Sequence, residues 1–479
     1  MSLKTTGPVK NDTAWVSRRF IHSILLSCTC LLAVRVPMIQ AEHLIQILEE
    51  AERNEPKFLI AQKQHSLVKE ILKQANAGLL PKITFDFDYL KTHQDIVSTS
   101  NPIYAQGTSD FKTEDYTLNL TQPVVDLPAL IRRRQAKTEV ERSDVELEDS
   151  LQELMVLVAT KYFEALATQD GLNLIQAELA AVEEHYKLAQ VRTSRGLSPL
   201  SDLYDASARL EAVKALRVES RNRRADALQA IREITGRVPR ELATLRADFR
   251  LVKPVPEDGD LWVESAMKAN LDLAIQRHTI EVARNEINLR KSGHWPTLSL
   301  FGRHNGRDAG GSLFGGGSNI RTTDLFFRFS VPFYQGGETT SRTRGATGLL
   351  EIAEIQQTEK TRAVVREVWA SYSGLLGAIY KVRALAKAVE AQKLTLAAKK
   401  SGFESGLFAG MAVLDAEHEV NQALLNSVQA RYDYLLYTLR LKRVVGGLGV
   451  EDLKRINGWL ETRTTSDAKI EDANPASPR

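Results

Sequence analysis

Cysteine is nearly absent: the 479 residues hold two, Cys28 and Cys30, both near the start. They lie in "FIHSILLSCTCLLAV", an apolar run preceded by Arg18 and Arg19 and followed by Arg35, Pro37 and "MIQA" ending at Ala41. A basic start, a short apolar stretch and a small residue before polar sequence read as an export signal, so residues 1–41 are expected to be a signal peptide. A membrane anchor is the alternative, but Arg35 ends the run early. A lipid-acceptor cysteine is another; "LLSC" has that form, but Leu26 fits it poorly and apolar sequence continues past Cys28. Without the leader the chain has no cysteine, which excludes disulfides, thiol catalysis and Cys-metal sites.

Charge of one sign is also scarce. Lys and Arg number 63 against 60 Asp and Glu, a net +3, so no nucleic-acid footprint is expected. The nine histidines are scattered, with no HExxH and no ligand spacing. "GGSLFGGG" lacks the lysine and helix start of a phosphate loop and reads as a surface loop. "IRRRQAK", from Ile131 to Lys137, reads as a solvated basic helix face, and Glu49-Glu50 and Glu183-Glu184 as solvated acidic ones. No catalytic constellation is present, so no enzyme, cofactor or metal is expected. After the leader, no apolar run is long enough for a spanning helix.

Proline is missing from long stretches: Pro128 to Pro199, Pro199 to Pro239, Pro256 to Pro296, and Pro332 to Pro475. An interior proline costs a helix roughly 3 kcal/mol, so these gaps are where long helices fit. The apolar pattern agrees. Val365, Val368, Tyr372, Leu375, Ile379, Val382, Ala386 and Val389 recur at alternating steps of three and four. Leu151, Met155, Val158, Tyr162 and Ala165 do the same, which is a coiled-coil seam. A helix from about Ala129 to Arg195 would be on the order of 100 Å long.

Two short regions in each half alternate with period two instead. "PKITFDFDYL" puts Ile83, Phe85, Phe87 and Tyr89 opposite Lys82, Thr84, Asp86 and Asp88. "DYTLNLTQPV", "PTLSLFGRH" and "DLFFRFSVPF" behave likewise, with Leu325, Phe327, Phe329, Val331 and Phe333 on one face of the last. Strands are expected at residues 81–91, 115–125, 296–304 and 324–333, with polar or glycine-rich loops between members of each pair. Aromatic-rich strands with a polar second face carry the pattern of a membrane β-barrel.

The two halves align. Asn54 pairs with Asn270, Pro81 with Pro296, Pro123 with Pro332, and Gly196 with Gly406. The division expected is residues 42–240 as a first repeat, 241–260 as a linker, 261–460 as a second repeat and 461–479 as a disordered tail. Four strands cannot close a barrel, because open edges in lipid leave backbone groups unpaired at several kcal/mol each. Several copies must share one barrel, and three give twelve strands with room for water. Each glycine then marks a helical hairpin tip, where a long helix turns and returns.

Several stretches in this order resemble the TolC-like family of outer-membrane efflux ducts: "LNLTQPVVD", "ATKYFEALATQD", "RTSRGLSPLSDLYDA", "IREITGRVPRELATL" and "RYDYLLYTLRLKRVVGGLGVEDL". The resemblance spans nearly the whole chain after the leader. It implies an α+β membrane protein: a homotrimer whose twelve-stranded barrel, four strands per chain, continues into a long α-helical coiled-coil barrel across the periplasm. It implies passive export from a Gram-negative cell, with a periplasmic adaptor and an inner-membrane transporter as partners. By the same resemblance Gly196, Leu197, Ser198, Gly406, Leu407 and Phe408 occupy the adaptor-docking tips. Asp415 matches one residue of the family's acidic constriction, and Ala412 stands where the other would be. Asp202 and Ser201 match one side of the ties that close the tunnel, but Phe403 and Phe408 replace the polar partners. Closure is therefore expected to rest on apolar packing by Phe403, Phe408 and Met411. Asp202 and Asp415 read equally well as near-terminal helix residues. The chief alternative function is a soluble periplasmic coiled-coil scaffold or adaptor, against which the four aromatic-faced strands speak.

Overall fold

A computed structural model describes residues 41–98, 100, 107–246, 248–311 and 316–461. The expected signal peptide up to Gln40 and the tail beyond Glu461 lie outside the described residues. Helix α1 (Leu44–Asn54) and α2 (Pro56–Ala77) open this part of the chain. Between them Glu55 caps α2, accepting the Phe58 N–H at 2.6 Å, while Pro56 occupies the first turn, where no donor is needed.

Strands β1 (Lys82–Ile96) and β2 (Gly107–Val125) follow, then helices α3 (Leu127–Ser194) and α4 (Leu200–Thr235) and a two-residue strand β3 (Thr244–Leu245). The second half runs α5 (Gly259–Ala269), α6 (Leu271–Lys291), β4 (Thr297–Ala309), β5 (Ser318–Ser330), α7 (Glu338–Glu404), α8 (Gly410–Val444), α9 (Val450–Asn457) and β6 (Leu460–Glu461). The order α2-β1-β2-α3-α4 recurs as α6-β4-β5-α7-α8. The alignment of Asn54 with Asn270 is shifted by one in cap position. Asn270 caps α6, accepting from the Leu273 N–H, whereas Asn54 ends α1 and Glu55 holds the matching cap.

The long strands pair antiparallel in the order β1-β2-β4-β5, so β1 and β5 are edges. They are longer than their apolar cores. β1 runs through His93 to Ile96, and β2 starts at Gly107, so both extend into the stretch expected as a loop between 81–91 and 115–125. The ladder continues through polar pairs such as His93–Asp110, 2.7 Å apart, because backbone bonds do not depend on side-chain polarity. β5 ends at Ser330, short of Val331 and Phe333, since Pro332 has no N–H for a ladder. Pro123, expected to match Pro332, instead lies inside β2 at a register shift.

Register fixes the two faces. Ile83, Leu120, Gly302 and Leu325 stand opposite one another across the sheet, and so do Phe85, Leu118, His304 and Thr323. Phe85, Leu325, Phe327 and Phe329 on this face are between 63% and 72% exposed, so the aromatic face has no partner among the described residues. The second face carries Thr84, Asn119, Arg303 and Asp324 in one row and Asp86, Thr117, Asn305 and Thr322 in the next. Its helix-proximal end is not polar. Phe301 and Phe326 stack there at 5.3 Å, and Arg328 lies 4.6 Å above Phe301.

Helices α3 and α7 have 68 and 67 residues, each on the order of 100 Å at 1.5 Å per residue. The largest core lies halfway along them, where α1, α9 and the β3–β6 pair cover α3, α4, α7 and α8. Tyr162, Phe163, Tyr434 and Leu435 are buried there. The expected α7 seam is buried from Val368 to Val382, with Val364 rather than Val365 fully covered, and Ala386 is exposed. Toward the tip α7 packs mainly on α8, so one face suffices.

Asp149 of α3 sits in the upper part of this region, 3.5 Å from Arg443. Burial outweighs that cation and raises its carboxyl above the ordinary 3.8. The folded state thus holds this proton more tightly than the unfolded chain, and stability falls as pH rises from 3.8 through the raised value. Asp149→Asn is expected to raise the melting temperature at neutral pH, with a gain that disappears in acid. A lower melting temperature at neutral pH would count against this account.

Candidate functional site

Two turns of one geometry stand at the far ends of the long helices. Gly196 has φ +68° and Gly406 φ +77°, the left-handed region that glycine enters without a Cβ penalty. The Leu197 N–H donates to the Arg192 carbonyl at 2.8 Å and the Leu407 N–H to the Gly402 carbonyl at 2.7 Å. The Gly196 and Gly406 N–H groups donate to Thr193 and Phe403. This double-bonded helix end satisfies the last carbonyls and reverses the chain. Pro199 and Ala409 then cap the returning helices α4 and α8. Pro199 therefore stands one residue before the helix.

The tips expose apolar side chains: Leu197 is 69% and Leu407 75% accessible. Phe408 folds back on its own hairpin, where a Cβ on Gly402 would sit 2.3 Å from its ring. Phe403 turns the other way, to the seam between the two hairpins. Its ring is 6.1 Å from His185 and 5.4 Å from the Arg192 guanidinium. With Asp202, Met411 and Leu414 it lines a small cavity of about 80 Å³. The structure thus brings Phe403, Met411 and Asp202 together. Ser201 and Asp415 are exposed and stand apart from that cavity. Asp415 makes no side-chain hydrogen bond or ion pair among the described residues.

A buried charge cluster one step above the tips escaped the sequence reading. Glu178 of α3, 5% exposed, holds Arg209 of α4 at 3.1 Å and His418 of α8 at 3.0 Å. A carboxylate only accepts, so the imidazole is the donor. Three helices from both hairpins meet on one side chain. No local pattern marks it, because its partners are distant in sequence. Glu178→Ala is expected to cost about 2–3 kcal/mol, below the usual range for breaking a buried pair because Arg209 and His418 are partly exposed. A urea midpoint equal to that of the unsubstituted protein would refute it.

The family model described as "Outer membrane efflux protein" matches residues 47–237 and again 262–447. The chain belongs to the outer membrane efflux protein family. Among relatives, it is 30% identical to the outer membrane protein TolC of Vibrio cholerae over 425 residues, covering 88% of this chain and 95% of that one. It is 27% identical to the alkaline protease secretion protein AprF of Pseudomonas aeruginosa, covering 85% of each. The CmeC outer membrane channel of Campylobacter jejuni superposes with a TM-score of 0.73 at 15% identity, over 88% of this chain and 90% of that one. The fold of this outer membrane efflux protein is therefore that of the TolC-like channels, and the soluble scaffold is set aside.

Proposed function

We propose that three copies of this chain assemble into a passive exit duct in the outer membrane, serving efflux or type I secretion. Family membership supports the location and the transport role. The single observation that carries the assembly is a four-stranded sheet with, among the described residues, both edges open and its aromatic face uncovered. In lipid such edges are tenable only if β5 of one copy pairs with β1 of the next. The flanking helices support the same contact. Ile60, Leu67 and Ile71 of α2 and Leu349, Ile352 and Ile355 of α7 are all at least half exposed. They belong to the outer helices of the row α2-α3-α6-α7, below the two sheet edges. Twelve strands leave a lumen, which the polar sheet face would line.

In this reading residues 42–240 and 261–460 are two repeats joined by a 241–260 linker. Leu197 and Leu407, held out by the turns at Gly196 and Gly406, with Ser198 and Phe408 beside them, receive a periplasmic adaptor coupled to an inner-membrane transporter. Asp202, Ser201 and Asp415 sit where the tunnel narrows. Three exposed Asp415 carboxylates near one axis attract a cation, while Phe403 and Met411 supply apolar packing.

The protein extracted from outer membranes is expected to run as a heat-modifiable trimer and to conduct in a planar bilayer. A monodisperse, detergent-free monomer would exclude the assembly. Asp415→Ala is expected to abolish most of the block by divalent cations without lowering single-channel conductance. Unchanged block would remove Asp415 from the constriction.

A further inference from the structure

The strongest unassigned feature is a groove of about 950 Å³ where the sheet gives way to helices. α3 forms its floor, and α2 and α6 its flanks. Arg133, Arg134 and Lys291 line it together with Leu127, Leu130 and Trp295. Arg133 donates to the Asn76 side chain at 2.8 Å, and no carboxylate pairs with Arg133, Arg134 or Lys291 among the described residues. Lys137 at the lower rim has Glu141 at 3.6 Å. The upper part therefore carries uncompensated positive charge beside exposed apolar surface. Leu130 is 50% and Trp295 59% accessible.

The side of the wall follows from chirality. Gly310 donates to the Lys112 carbonyl at 2.7 Å, so this opposed pair is a hydrogen-bonded one, and Lys112 aims its backbone at β4. Lys112 shares its face with Tyr116, Leu118 and Leu120. For L-residues this puts β1 and α2 to the right of β2 and α3, seen from the aromatic face with the helices below. His65 of α2 sits between Ser143, at 3.2 Å, and Asp144, at 3.3 Å, so the midpoint of these two residues marks the right-hand side of α3. A descending right-handed helix then turns Leu127, Leu130, Arg133 and Arg134 toward the viewer. The groove opens on the aromatic side of the wall. Phe333 and Tyr334, 94% and 87% exposed beyond β5, stand in the same junction. Aromatic side chains at this level mark a membrane–water boundary.

We propose that this groove binds the headgroup of an anionic phospholipid from the periplasm-facing leaflet. The inference rests on the duct reading above, which sets the aromatic face in lipid. Arg133, Arg134 and Lys291 meet the phosphate diester, the guanidinium groups by paired N–H donors. Trp295, Leu127 and Leu130 lie along the glycerol and upper acyl chain. Charge complementarity and continuity with the membrane face select a lipid over a soluble anion, because a free phosphate has no use for the apolar half of the groove.

The test uses the full protein in mixed micelles holding equal amounts of phosphatidylglycerol and phosphatidylcholine, with bound lipid counted by native mass spectrometry. Phosphatidylglycerol is expected to be retained selectively. Each charge removed should weaken that preference roughly fivefold, so Arg134→Gln with Lys291→Gln lowers it about 25-fold. Lys291→Gln alone, at an exposed position, gives the single step should the double variant not assemble. Arg132→Gln is the control: two residues before Arg134, it lies on the opposite side of α3 and should change nothing. Equal retention of the two lipids, or a preference that survives both Lys291→Gln and the double variant, overturns the proposal. So does displacement of the lipid by inorganic phosphate at unchanged ionic strength, which would make the groove a soluble-anion site. A chain that is soluble and monomeric without detergent fails the duct reading instead, and that outcome is read before any lipid is added.

Discussion

Gly446→Val is expected to leave almost no folded protein in the outer membrane. Gly446 has φ +71° at the end of α8. It repeats the turn of the hairpin tips: its N–H donates to Arg443 at 2.7 Å and that of Gly447 to Lys442 at 2.9 Å. Here, unlike at the tips, another backbone lies against it. A Cβ would stand 2.1 Å from the Ala269 carbonyl oxygen and 2.8 Å from its carbon. No rotamer change relieves that overlap. The turn must also stay close, because Asn270 donates to the Val444 carbonyl at 2.7 Å while capping α6. A non-glycine residue in this region costs about 1–3 kcal/mol in strain, and overpacking a similar amount, so a total of about 3–5 kcal/mol is expected. That is a large part of an ordinary folding free energy. Gly196→Val is the comparison, since it has the same hand of φ and nothing within 4 Å of its Cβ. It should show only the strain. Immunoblots of outer-membrane fractions check this, and equal abundance of the two variants would refute it.

Tyr162→Ala is expected to cost about 3–5 kcal/mol, the range for removing a large buried ring. Tyr162 is fully buried and meets Phe163 edge-on at 5.7 Å. Its one hydroxyl proton is shared between the carbonyls of Glu42, at 3.0 Å, and Ala243, at 2.8 Å. These two acceptors belong to segments that also hold each other, since the Ala243 N–H donates to Glu42 at 3.0 Å. Arg237, paired with Glu42 and Glu50, closes the same junction from outside. Tyr162→Phe keeps the packing and should cost only about 1–3 kcal/mol, for the Ala243 carbonyl left without its donor while the Glu42 carbonyl keeps the Ala243 N–H. Burial holds the phenol well above its ordinary pKa, so its proton stays in place throughout the physiological range. Denaturant midpoints of both variants decide it. If Tyr162→Phe cost as much as Tyr162→Ala, the hydrogen bonds rather than the ring would dominate.

The hairpin tips were legible because a left-handed turn admits few residues, and Gly196 and Gly406 stand at matching places in long proline-free stretches. The strands were legible where aromatic and polar residues alternate. Their outer arms were not, because His93, Asp110 and their neighbours obey no face preference once beyond the apolar band. The pairing of Phe301 with Phe326 on the polar face was hidden for the opposite reason. The alternation of β5 names Phe327 and Phe329, and only register shows what stands across from Phe326.

By itself the sequence determined the periodicities. These are long helices where proline is absent, dyad strands, two glycine turns, and too few strands to close a wall. Such features depend on neighbours a few residues apart, so the chain displays them directly. Only the tertiary structure decided which distant groups meet. It joined Glu178 to Arg209 and His418, and Gly446 to Ala269. It also gathered Arg133, Arg134 and Lys291 in one groove beneath the aromatic face. Those contacts follow from the hand of the sheet and the rotation of each helix, and no spacing within a single segment encodes either.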